Sequence, residues 1–197
     1  MDKLRDLLIE AINQEWHSYA QYITHASLIE TMGKSARVEH LNEHADEEKD
    51  HAERLTMHVL ARGPAFNIDF SCVIPEKQLS GDVVSMLIDD LNGEVEIIQL
   101  YLEIIDLIGE DNELRDTRLL IEDIIADEIE HQDDLTMIIK NRLKGQQNAP
   151  DPDEQTEEIV LSTAEKLIKC ANKLDNIGMI YEANNLDQFI QEFLGES

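Results

Sequence analysis

The stretch Leu41-Asn42-Glu43-His44-Ala45-Asp46-Glu47-Glu48-Lys49-Asp50-His51-Ala52-Glu53-Arg54-Leu55 decides the reading of the whole chain. Apolar or small residues recur at Leu41, Ala45, Ala52 and Leu55, a period near 3.6, so the segment is an amphipathic helix. Glu48 and His51 interrupt that apolar stripe at positions in phase with it. A helix spanning roughly 35–61 therefore turns one carboxylate and one imidazole toward whatever it packs on. Three further segments share the period. The first, roughly 3–31, carries Leu4, Leu8, Ala11, Ile12, Tyr19, Tyr22, Ala26 and Ile29. The third, roughly 82–108, carries Val84, Leu87, Leu91, Ile98, Tyr101, Ile105 and Ile108. The fourth, roughly 112–144, carries Leu114, Ile121, Ile124, Ile125, Leu135 and Ile138. No segment sustains the alternation of a strand, and the chain reads as all-α.

The connections suggest a topology. Short turns at Met32-Gly33-Lys34-Ser35 and Gly109-Glu110-Asp111 make antiparallel hairpins of segments one with two and three with four. Between the hairpins run about twenty residues, Arg62 to Gly81, holding Pro64 and Pro75. Such a connection can travel the ~40 Å of a long helix, and the second hairpin is expected to start at the same end as the first. The predicted architecture is a four-helix bundle of two hairpins joined by a long crossover, covering residues 1–145. After Gly145 a Pro/Asp/Gln-rich linker follows at 146–154, and residues 155–197 form a C-terminal helical hairpin, about 155–176 and 179–194, broken at Gly178.

Charge and composition bound the function. Sixteen basic and 43 acidic residues in 197 give a net charge of −27, which repels nucleic acid and acidic membrane surfaces and attracts cations. Two cysteines, Cys72 and Cys170, exclude a disulfide scaffold and an all-cysteine zinc site. Neither a signal-peptide pattern nor a run of ~20 apolar residues is present, so the expectation is a soluble, cytoplasmic protein without membrane partners.

Glu-x-x-His occurs twice, as Glu48-Lys49-Asp50-His51 and Glu128-Ile129-Glu130-His131. Residues i and i+3 share a helix face and can hold one ion. With 24 glutamates and 7 histidines in the chain, roughly one such match is expected by chance, so the motif alone decides nothing. Phase decides more. Glu128 and His131 continue the stripe Ile121, Ile124, Leu135 and Ile138, while Glu15 and Glu94 interrupt the stripes of the other two helices. Glu96 is the rival of Glu94, but two residues turn a helix by about 200°, which points it away. Carboxylates on a core face require compensation. The hairpins also repeat each other: each of Glu15 and Glu94 has a tyrosine seven residues on, Tyr22 and Tyr101, placed to hydrogen-bond glutamates of the facing hairpin. One inward Glu from each of two helices, plus Glu-x-x-His from each of the others, is a ligand set for a dinuclear carboxylate site. Among the other histidines, His17, His25, His40 and His58 read as surface or boundary residues, and His44 lies near the site. Trp16 reads as packing.

With these motifs, residues 3–144 resemble the ferritin-like superfamily, in particular bacterioferritins and the Dps-like ferritins with a bacterioferritin-type di-iron centre. The run Gln14-Glu15-Trp16-His17-Ser18-Tyr19-Ala20-Gln21-Tyr22 and Gly63-Pro64 resemble the Dps-like branch. The resemblance implies that Glu15, Glu48, His51, Glu94, Glu128 and His131 bind two irons per subunit at a ferroxidase centre, with Tyr22 and Tyr101 supporting them. It implies oxidation of Fe(II) by O2 or H2O2 for iron storage and oxidative-stress protection, in a homo-oligomer that closes into a cage. Manganese and zinc are the alternative metals. Bacterioferritins carry a haem-ligating Met directly after the second-helix Glu; Lys49 stands there, and no haem is expected. Ile97 stands where rubrerythrins have a further Glu, and Cys72 alone could match the cysteine pair of thioferritins. The helices after Gly145 are outside the family pattern and read alternatively as a docking module for a partner. The alternative activity for the same six residues is a di-iron peroxidase or manganese catalase-type oxidoreductase without iron storage.

Overall fold

The computed structural model describes residues 2–33, 38–62 and 82–145, together with residues 168, 169, 171–176, 179, 183 and 184 near the C-terminus. Four long helices dominate: α1 (Asp2–Thr31), α2 (Val38–Arg62), α3 (Val83–Ile108) and α4 (Arg115–Gly145). No strand occurs among the described residues. The all-α four-helix bundle is as the sequence predicts. The crossover, the 146–154 linker, most of the expected C-terminal hairpin, Cys72 and Cys170 lie outside the described residues.

Helix ends follow local chemistry. Gly33 and Gly109 close α1 and α3 at φ 70° and 54°, a region glycine enters without a Cβ clash. Gly109 N–H returns to Ile105 O at 2.9 Å. Asp82 caps α3, its carboxylate accepting from the N–H groups of Val84 at 2.8 Å and Ser85 at 3.1 Å. The fourth segment opens with a 3₁₀ turn, Asn112–Leu114, before α4 begins at Arg115. The expected start near 112 is thus displaced, because the Asp111 side chain accepts from Glu113 N–H at 2.9 Å and tightens that turn.

Cross-helix pairs fix directions. Tyr101 meets Glu15 while Tyr22 meets Glu94, so α1 and α3 run antiparallel. Along α2 and α4, His44 faces Asp134, Glu47 faces His131, His51 faces Asp127 and Arg54 faces Asp123, again antiparallel. With α1 antiparallel to α2, as their short turn requires, α2 and α3 must run parallel. The second hairpin therefore starts at the end where the first one turns. This corrects the expectation that both hairpins start at the same end. A long crossover permits either arrangement, and only antiparallel α1 and α3 let each Tyr reach the opposite hairpin's Glu.

Two apolar clusters fill the bundle. One joins Leu8, Ile12, Leu55, Ile98, Tyr101, Ile105 and Ile121. The other joins Tyr22, Ile29, Leu41, Leu87, Leu91, Leu135 and Ile138. The first also takes in Ala171, Leu174 and Ala183, so the described C-terminal residues add to the bundle core. α3 is apolar around most of its circumference, with Ile97, Leu100 and Ile104 buried as well as Ile98, Tyr101 and Ile105. No helix among the described residues is long and apolar enough to cross a membrane.

Candidate metal centre

Between the two apolar clusters, the four helices bring together Glu15 from α1, Glu48 and His51 from α2, Glu94 from α3, and Glu128 and His131 from α4. None is more than 2% exposed. Their ligand atoms form two overlapping groups, Glu15/Glu48/His51/Glu128 and Glu48/Glu94/Glu128/His131, within each of which all chosen atoms lie within 4.8 Å of one another. Glu48 and Glu128 belong to both. His51 Nδ1 lies 3.0 Å from Glu128, 3.7 Å from Glu48 and 3.8 Å from Glu15. His131 Nδ1 lies 3.1 Å from Glu48, 3.3 Å from Glu128 and 4.0 Å from Glu94. Glu96, the rival of Glu94, is exposed.

The donor set fits cations. Glu15 Oε2, Glu48 Oε2, Glu94 Oε2, both Glu128 oxygens and His51 Nδ1 are buried with no hydrogen-bond partner among the described residues. Such atoms lose hydration on burial and need positive charge or donors in return. The other carboxylate oxygens are spoken for: Tyr22 OH donates to Glu94 Oε1, and Tyr101 OH donates to Glu15 Oε1. Each phenol thus comes from the hairpin opposite its glutamate's own.

Burial and close neighbours set the four carboxyls apart from one another. Burial, and then the charges of Glu128 and Glu48, push Glu15 well above the usual carboxylate range. Burial and the same two neighbours do likewise for Glu94. Burial also works against an ionised Glu48, but the hydrogen bond with His131 and the nearby His51 imidazole outweigh it and hold that carboxyl low. For Glu128, burial and the Glu48 charge are likewise outweighed by His131 and His51, and its carboxyl is lowered. Burial alone would lower both imidazoles, yet their carboxylate partners hold His51 and His131 well above the ordinary histidine value. Burial thus raises two of the carboxyls, while the histidines hold the other two low and are themselves held up by them.

The sequence reading missed a pair of supports. His51 Nε2 lies 3.2 Å from Asp127 Oδ2, and His131 Nε2 lies 2.7 Å from Glu47 Oε2. In each case the acid on one helix holds the outer nitrogen of the histidine on the other, leaving Nδ1 toward the cluster. Such carboxylate contacts fix the tautomer and raise the basicity of a ligating imidazole. Their signal was present: an acidic residue directly precedes the Glu of both Glu-x-x-His motifs. His44 lies beside the cluster as expected, its ring stacked on His131 at 4.3 Å and edge-on to Tyr22 at 5.4 Å. His40 is exposed and His17 and His58 are half-buried. His25 departs from its reading as a surface or boundary residue: it is fully buried, because Asp90 on α3 supplies a partner 2.7 Å away.

A buried carboxylate and imidazole cluster at the centre of four helices, with α2 and α3 parallel, defines a helical bundle of the ferritin type. The family model of the ferritin-like domain matches residues 5–143, and the chain belongs to that family. Among solved structures it is similar to the bacterioferritin of Rhodobacter capsulatus, described with a metal-free dinuclear site and a haem iron. The two are 25% identical over 78% of this chain and 97% of that one, with a TM-score of 0.64. Comparison with curated protein sequences gives no match.

Proposed function

We propose that this protein binds two iron ions per subunit at Glu15, Glu48, His51, Glu94, Glu128 and His131, and oxidises Fe(II) with O2 or H2O2. The observation that carries this reading is the sharing of Glu48 and Glu128 between two four-residue groups, each completed by its own histidine and its own glutamate. Shared carboxylates suit a bridged pair of cations, and oxygen-rich ligands with one imidazole per ion favour iron and stabilise its ferric form. Two ferrous ions side by side supply the two electrons that convert H2O2 to water, or O2 to peroxide, without release of a radical.

The chain's own residues prepare that chemistry. Asp127 and Glu47 hold His51 and His131 with Nδ1 inward. Tyr22 and Tyr101 each occupy one oxygen of Glu94 and Glu15, leaving the second oxygen of each available. Four ionised carboxylates would balance two divalent ions and leave the buried site neutral. The fold further supports a homo-oligomeric shell in the cytoplasm, where a charge of −27 per chain concentrates Fe(II). Haem is not part of this reading: Lys49, the residue after Glu48, sits 3.8 Å from Glu53 in an exposed ion pair and offers no thioether.

The test is anaerobic loading of purified protein with Fe(II), followed by exposure to air or peroxide, with particle size and retained iron measured together. Rapid oxidation with many irons retained in a large symmetric particle is expected. Evolution of O2 from peroxide with no iron uptake would establish the catalase-type alternative and overturn storage.

A further inference from the structure

The internal repeat supplies a control for a buried pair outside the six-residue cluster. α1 and α3 correspond at a spacing of 79 residues, Glu15 with Glu94 and Tyr22 with Tyr101. One turn beyond Tyr22 and one turn before Glu94, His25 Nδ1 lies 2.7 Å from Asp90 Oδ1, and Gln21 Nε2 donates to the same oxygen at 2.8 Å. All three residues are 4% exposed or less. At the same spacing, the counterparts of His25 and Asp90 are Ile104 and Ala11, both fully buried in the apolar cluster at the other end of the bundle. The counterpart of Gln21 is Leu100. The bundle therefore fills equivalent positions twice, once with hydrocarbon and once with an acid–base pair.

Burying such a pair costs desolvation that its internal attraction barely returns, and well-packed apolar residues often do as well or better. Ala11 and Ile104 do that in the other half, so packing does not require Asp90 and His25. Their asymmetry has a direction. Two donors converge on Asp90 Oδ1, while Oδ2 is buried with no hydrogen-bond partner among the described residues, so the carboxylate end is under-compensated. The groups within its electrostatic reach are Gln21, Tyr22 and His25 of α1 and Glu48 of α2, with Glu94 one turn along its own helix. An acid with one buried oxygen left unpartnered, one turn from Glu94, favours a cation held by Glu94 and His131 over one held by Glu15 and His51, where the equivalent positions are hydrocarbon.

Resting on the two-cation reading above, we infer that Asp90 and His25 are positioning residues that make the two cation positions unequal, the Glu94/His131 position binding first and more tightly. Outer partners bonded to a metal's ligands shift affinity by about 10- to 100-fold; Asp90 and His25 bond no ligand directly, and a separation of about tenfold is expected here. The probe is Co(II), titrated anaerobically into the full chain and followed by cobalt absorption and calorimetry. The wild-type protein should bind two Co(II) in two resolved steps, and Glu94→Gln should remove the tighter one. Asp90→Ala with His25→Ile installs the protein's own solution from the other half; it should keep the helical circular dichroism and bind two Co(II) in one unresolved step. Asp90→Asn with His25→Gln keeps similar shapes without the charge and should behave the same, which covers a failure of the first variant to fold. A single step in the wild type, two steps unchanged in the folded variants, or loss of the weaker step in Glu94→Gln overturns the inference. Binding of fewer than two Co(II) by the wild type overturns the two-cation reading instead.

Discussion

Glu94 and Glu96 stand two residues apart on α3, and only one is buried. Glu94 is 1% exposed and receives the Tyr22 phenol, while Glu96 is exposed. Glu94→Ala should therefore abolish fast Fe(II) oxidation with little loss of helicity, and Glu96→Ala should leave the stopped-flow rate unchanged; the reverse result would move the ligand to 96. Helix phase made this choice legible in the sequence, since it asks only which face a residue occupies. Glu47 and Asp127 were not legible in that way. Their side chains are 57% and 48% exposed, so by phase they belong to the solvent face, and only their tips reach the histidines across the seam. His25 was misjudged because its partner, Asp90, lies 65 residues away. His44 carries a prediction of its own. Burial, and then the neighbouring charge of His131, lowers its pKa to about 4. An unfolded histidine titrates near 6.5, so the unfolded chain takes up this proton first and His44 costs stability as pH falls from about 6.5 toward 4. His44→Leu removes that penalty. In urea unfolding at pH 7 and pH 5, the variant should gain about 2 kcal/mol on the wild type at the lower pH; a constant difference would show that His44 does not stay neutral in the fold.

Among the elements, α3 is the most apolar helix and the one whose start must be fixed for Glu94 to fall in register. The Asp82 side chain accepts two of its free N–H groups. Asp82→Ala should cost about 1 kcal/mol, the usual value of an N-cap, seen as a lower denaturation midpoint with an unchanged slope. No change would mean that tertiary packing alone sets the start of α3. Helix existence and pairing were readable because long 3.6-residue periods and short Gly turns are local signals. The direction of the second hairpin was not, because a connection of about twenty residues can end at either end of the bundle. The cue lay in the repeat itself. A tyrosine seven residues after each helix glutamate can serve the opposite glutamate only if α1 and α3 run antiparallel, as Tyr101–Glu15 and Tyr22–Glu94 do.

At the scale of the whole molecule, the six candidate ligands draw on α1 to α4 alone, while the core beside them extends further along the chain. Leu174 and Ala183 are fully buried and Ala171 nearly so, in the cluster that holds Ile98, Leu100 and Ile104. Sequence showed an amphipathic C-terminal region but could not show what its apolar face meets, since both a partner and the bundle's own core would satisfy the same stripe. Residues that are spent on the bundle's own core are not available to a partner. Leu174→Ala opens a cavity where the neighbours can relax only in part, and should destabilise the fold by about 2–5 kcal/mol. It should not alter Co(II) stoichiometry, because none of the six proposed ligands lies beyond His131. Calorimetric unfolding of the metal-free protein and cobalt titration of the same sample separate the two effects. An unchanged melting temperature would detach the C-terminal residues from the core and restore the docking reading, whereas loss of a cobalt ion along with stability would tie the metal centre to a part of the chain that supplies none of its ligands.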